Sequence, residues 1–156
     1  MKINLKRLLI CVAIPLAVGG LSALISGGGM EAFEQMNKPP LSPPGWLFPL
    51  VWSILYVLMG IASYLILESD ASHKDIINAL TFYGVQLFFN FMWSILFFNF
   101  SFYTIAFIWL LVLWILILIT TVLFYKISKP AAFLLIPYLL WVTFAGYLNF
   151  GIALLN

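Results

Sequence analysis

The side chains of this chain best suited to recognition are aromatic rings and amides set in apolar sequence. Gln86, Asn90, Trp93 and Phe97 recur at i, i+4, i+7 and i+11, the spacing of one helical face. An amide that meets hydrocarbon without a partner is costly, so this face is expected to look inward. Trp52, Tyr56, Met59 or Gly60, and Ser63 form a similar stripe. Trp141, Ala145, Leu148 or Asn149, and Ile152 form a third, with Ala145 the small residue between larger ones. Two readings fit these stripes. Trp and Tyr concentrate at membrane interfaces and an Asn or Gln often joins two helices, so the stripes could be packing. Alternatively, the three faces enclose one ligand cavity.

Conventional catalysis is not expected. His73 is the one histidine and Cys11 the one cysteine, so no His- or Cys-based metal set can be assembled, and neither a metal nor a cofactor is expected. No Asp, Glu, Lys or Arg falls deep in an apolar stretch. Pumps and ion-coupled transporters place ionisable groups at membrane depth, and acid–base or His-activated nucleophilic chemistry needs them too. Any reaction must therefore draw its reactivity from the ligand or from aromatic side chains.

The elements that must position these residues are membrane helices. Of 156 residues 65% are apolar and 8% charged, and mean hydropathy is +1.14, whereas soluble domains carry roughly 25% charged residues. Crossing about 30 Å of hydrocarbon takes about 20 apolar residues, and five stretches qualify. They run over about 8–26, 44–67, 76–98, 102–125 and 131–154, giving an all-α integral membrane bundle of five transmembrane helices, one domain over 1–156, with a first extramembrane loop at 27–43. Ser42-Pro43-Pro44 suits the start of the second span, Ser72-His73-Lys74-Asp75 fits a capping box before the third, and Gly27-Gly28-Gly29 ends the first. A tight turn at Asn99 to Ser101 is expected to follow the third. A cleaved signal peptide is the alternative for the first segment. Its small residues Ala13, Ala17, Gly19, Ala23 and Gly27 favour a retained helix that packs closely. The fourth span, aliphatic apart from Phe107, Trp109 and Trp114 between Ile105 and Ile119, is expected to face lipid or a partner subunit.

Lys2, Lys6, Arg7, Lys74, Lys126 and Lys129 share one side of such a bundle, and Lys38 alone lies on the other. The positive-inside rule then puts the N-terminus in the cytoplasm and the C-terminus outside, in a multi-pass protein of the cell membrane. The net charge of +2 reflects this topology, and no nucleic-acid partner is expected.

The run from Asn37-Lys38-Pro39-Pro40 through Pro43-Pro44-Gly45-Trp46 to Trp52-Ser53-Ile54-Leu55-Tyr56 strongly resembles the translocator protein family, also called tryptophan-rich sensory protein or peripheral-type benzodiazepine receptor. Gln86-Leu87-Phe88-Phe89-Asn90-Phe91-Met92-Trp93 and Pro137-Tyr138-Leu139-Leu140-Trp141 through Asn149 match in the same order, so the likeness extends over the whole chain. The resemblance implies a five-helix fold and a pocket for flat hydrophobic ligands, open toward the first loop and closed by it. Implied ligands are tetrapyrroles such as protoporphyrin IX and isoquinoline carboxamides; implied pocket residues are Trp52, Tyr56, Asn90, Trp93, Trp141, Ala145 and Leu148. A homodimer is also implied. The function expected is tetrapyrrole binding as sensor, carrier or scavenger. Light- and oxygen-dependent porphyrin breakdown, with Trp52 and Trp141 as candidate electron donors, and passive transport of lipophilic molecules are the alternatives. Two features depart from the pattern. Ala32-Phe33 stands where many members have a Trp-Tyr pair, and Leu41 where they have Trp. Phe150 and Leu154 replace the Tyr and Arg of the animal members' cholesterol motif, so cholesterol is not expected.

Overall fold

The computed structural model describes residues 2–27 and 29–156, and these form helices and loops without a strand. The order is α1 (Leu5–Ser26), a short α2 (Gly29–Gln35), α3 (Leu47–Leu67), α4 (His73–Ser94), α5 (Tyr103–Ile127) and α6 (Lys129–Leu155). Every helix except α2 is long and apolar enough to cross a membrane. Of the glycines expected to end the first span, Gly27 follows α1 and Gly29 opens α2, while Gly28 lies outside the described residues.

Helix ends are set by side chains that pair the free N–H groups of a first turn. The Asn4 side chain accepts from the Arg7 N–H at 3.1 Å, Ser72 Oγ from the Asp75 N–H at 3.2 Å, and Ser128 Oγ from the Ala131 N–H at 3.4 Å. Ser42 does not cap the next helix as its sequence context suggested. Its hydroxyl donates to the Pro39 carbonyl at 2.7 Å, and α3 begins only at Leu47, after a turn in which the Leu47 N–H reaches the Pro44 carbonyl. The end of α4 also differs from expectation: Ile95–Asn99 widens into a π-helical turn, with the Phe100 N–H on the Ile95 carbonyl. Ser101 then reverses the chain at a left-handed φ of 55°.

The five long helices close a ring in the order α1, α3, α6, α5, α4. The α1–α3 contact is tight at Gly60, where a Cβ would run into the backbone of Cys11 and Val12. Most of the small residues singled out in the first span play no such part: Ala13, Ala17 and Ala23 of α1 and Gly27 after it are exposed, and only Gly19 packs closely, beneath the Tyr56 ring. Arg7 forms an ion pair with Glu68, and the Asn4 N–H donates to Tyr64 Oη at 2.9 Å, so α1 is tied to α3 near its N-terminus. Near its other end it is tied to α4, through Ser22 and Ser26 hydroxyls on Ser94.

Helix α5 is only partly the outward-facing helix its composition suggested. Leu110, Leu113, Ile117 and Phe124 are buried in the bundle, while Ile105, Ile108, Leu111, Val112 and Ile115 face outward. A helix that is aliphatic all round has no contrast by which sequence could tell these faces apart. The outer surface of the ring is apolar, with Leu24, Ile54, Phe88, Phe133 and Leu140 exposed, as a bilayer solvent requires.

Candidate ligand cavity

The half of the bundle that carries α1's N-terminus is filled by Met59, Ala62 and Ile66 of α3, Leu113 and Ile117 of α5, and Leu135 and Tyr138 of α6. Toward α2 the same ring holds a cavity of about 440 Å³, within the size range of small-molecule sites. Trp52, Tyr56, Asn90, Trp93, Trp141, Ala145 and Leu148 all line it. Among the described residues α5 contributes nothing to the wall. Gln86, Met59, Gly60 and Ser63, which share stripes with these residues, lie deeper and belong to the packed core or the α1 contact.

The polar groups at the cavity floor serve packing and cavity together. Tyr56 Oη donates to Asn90 Oδ1 at 2.9 Å, Asn90 Nδ2 donates to Tyr138 Oη at 2.8 Å, and Tyr138 Oη donates to Gln86 Oε1 at 2.6 Å. Asn90 thus joins α3 and α6 through α4 while facing the cavity. Trp93 Nε1 donates to Asn149 Oδ1 at 3.0 Å, and Asn149 Nδ2 to the Tyr103 carbonyl at 2.9 Å, which fixes both side chains. Trp141 is different. Its indole N–H is buried and has no partner, and it shares that condition with Tyr83 Oη, which lies outside the cavity wall.

Eight aromatic rings stand in the wall. Trp52 stacks on Tyr56 with centroids 5.6 Å apart, and Trp93 on Phe97 at 5.2 Å. Phe48 lies edge-on to Trp141 at 5.8 Å and to Phe33 of α2 at 4.8 Å. Phe33, 4% exposed, is the lid that closes the loop end. Around it, Glu34 Oε1 accepts from the Gly45 N–H at 2.6 Å, and Lys38 Nζ donates to the Phe33 and Glu34 carbonyls at 3.1 and 2.9 Å. The loop is held to α6 where Tyr147 Oη donates to the Pro40 carbonyl at 2.6 Å.

Several lining residues were not singled out in sequence. Phe48 stands four residues before Trp52 and extends its stripe by one turn. Gly19, Ser22, Ala23 and Ser26 supply a wall from α1 that small residues gave no reason to expect, and Glu31 of α2 is the one charged residue in the described lining. The departures at Ala32 and Leu41 fall outside the cavity wall: both are exposed, Leu41 at a loop tip with a φ of 68°.

A five-helix ring of apolar helices around an aromatic cavity, lidded by the loop after its first helix, defines a small multi-pass membrane protein. The chain belongs to the TspO/MBR family, whose model matches residues 11–155. It is 36% identical over 154 residues to the tryptophan-rich protein TspO of Chlorobaculum tepidum, covering 98% of each chain. It is 33% identical over 138 residues to protein CrtK of Rhodobacter capsulatus, covering 88% of this chain and 85% of that one. To the translocator protein of Bos taurus it is 36% identical over 125 residues, covering 80% of this chain and 74% of the other.

Proposed function

We propose that this protein binds tetrapyrroles such as protoporphyrin IX, and flat hydrophobic molecules of similar shape including isoquinoline carboxamides, as a sensor, carrier or scavenger in the cell membrane. The observation that carries this reading is a ring-lined wall around a cavity of small-molecule size. Trp52, Tyr56, Trp93 and Trp141 offer faces and edges to a macrocycle, and Ala145 leaves room for it to approach. The Tyr56–Asn90–Tyr138–Gln86 chain holds the floor rigid, so little ordering is needed on binding.

The polar ends of the bundle support the orientation expected from charge: Lys74, Lys126 and Lys129 lie at the end where Arg7 meets Glu68, which we assign to the cytoplasm. The outward aliphatic face of α5 is available to lipid or to a second copy in a homodimer.

Reconstitution into vesicles with protoporphyrin IX tests the reading, with binding measured in the dark and product formation under light. Saturable dark binding supports it, and absence of any tetrapyrrole binding overturns it. Products that form only with protein and light, and disappear in a Trp52→Phe, Trp141→Phe double variant of equal affinity, would make the protein a porphyrin-degrading enzyme as well.

A further inference from the structure

We propose that ligands reach the cavity sideways from the bilayer, through a slot between α1 and α3, and not past the loop. The proposal rests on the reading of the cavity as a ligand site. Its starting point is which lining residues are exposed. Leu16, Gly20 and Ala23 of α1, Gly27 just after it, Pro49 and Ser53 of α3, and Glu31 of α2 are exposed; every other residue of the described lining is buried or half-buried. The mouth therefore lies along one seam of the ring.

The other ways in are closed. Phe33 packs on Phe48 and sits in one buried cluster with Phe97 and Ile152, and the loop around it is held by Glu34, Lys38 and Tyr147. The α1–α4 seam is stitched by Ser22, Ser26 and Ser94, and Ser22 Oγ also donates to the Phe91 carbonyl at 3.2 Å. Between α1 and α3, by contrast, the hydrogen bonds in the described structure are those of Asn4 and Arg7, at the far end of the bundle. At the slot itself Ser53 Oγ is turned back onto the Pro49 carbonyl at 2.7 Å, so no hydrogen bond has to break for the helices to part. Pro15, one turn below the slot, lacks the N–H that would close on the Cys11 carbonyl, which leaves α1 a weak turn about which its upper half can swing. A flat apolar ligand is concentrated in hydrocarbon, and this seam opens to hydrocarbon.

Gly20 gives the test, because a Cβ there has nothing within 4 Å and a larger side chain enters open space at the slot. In vesicles, Gly20→Phe is expected to slow both association and dissociation of protoporphyrin IX about tenfold while changing Kd far less, since both rates pass the same barrier. Wild-type association is expected to follow the ligand's mole fraction in lipid, falling as lipid is added at constant ligand and protein. Tyr147→Phe, which frees the loop from α6, is expected to leave the rates within about twofold. The proposal is overturned if Gly20→Phe binds at the wild-type rate, if Tyr147→Phe accelerates entry, or if the rate follows aqueous ligand alone. If no ligand binds the wild type, the cavity reading falls and the slot with it; binding with unaltered rates in Gly20→Phe removes the slot only.

Discussion

Trp93 and Trp141 face the same space with different commitments, and this separates their roles. The Trp93 N–H is spent on Asn149, so Trp93→Phe strands a buried amide oxygen and is expected to lower thermal stability in detergent by about 1–2 kcal/mol. The Trp141 N–H is unspent, so Trp141→Phe keeps the ring and removes only a donor. It is expected to leave stability near wild type and to change protoporphyrin binding less than about twofold, since the N–H has no surface open to the cavity. Fluorescence-quenching titrations and melting curves of the two variants check this contrast. Glu31 acts on the ligand's charge. The described cavity lining holds no cation, and Lys38 is occupied by two carbonyls, so a ligand's carboxylates must stay near the mouth, beside Glu31. Glu31→Gln is expected to tighten binding of protoporphyrin IX about threefold at low salt and to leave its dimethyl ester unchanged, an effect lost as ionic strength rises. Equal changes for diacid and diester would remove Glu31 from ligand selection.

Among the elements, α1 and α3 carry the close approach on which the cavity's lower edge depends. Gly60→Val drives a side chain into the α1 backbone and is expected to destabilise the bundle by about 1–3 kcal/mol, whereas Gly84→Ala, with open space around it, is expected to be neutral within about 0.5 kcal/mol. Unfolding in detergent, followed by circular dichroism, measures both. These elements also show what sequence could and could not disclose. The inward faces of α3, α4 and α6 were legible because amides and indoles stand out in apolar sequence at helical spacing. The wall from α1 was not, since Gly19, Ser22 and Ala23 shape a cavity by lacking bulk and carry no such contrast. The seven residues of α2 are too few for a periodicity, so neither its helix nor the burial of Phe33 was foreseen. The π-helical turn at Ile95–Asn99 carries no glycine or proline to mark it in sequence, and it packs against α1, where Asn99 Nδ2 donates to the Ile25 carbonyl at 3.0 Å.

At the scale of the whole molecule, composition alone disclosed the solvent and the class of fold, because a chain this apolar has no polar surface with which to face water. The ring order was not open to such reading. It brings the first and third spans together through serines that hydropathy does not mark, and sets the fourth behind the cavity. The proposed orientation, with the Arg7–Glu68 end in the cytoplasm, has its own check. In a Cys11→Ser background, Ser128→Cys is expected to react with an impermeant thiol reagent only in opened cells, and Asn37→Cys in intact ones; the reverse pattern would invert the bundle.

The central claim, that the ring-lined cavity holds a flat tetrapyrrole, is tested most directly at Ala145, which lines the cavity floor where wild type leaves space. A dark titration of protoporphyrin IX against wild type and Ala145→Phe in the same vesicles is the measurement. One saturable site per chain is expected in wild type, with loss of at least about 30-fold in affinity in an Ala145→Phe protein that remains folded by circular dichroism, since a ring added there occupies the ligand's volume. Folded Ala145→Phe binding porphyrin as tightly as wild type would contradict it.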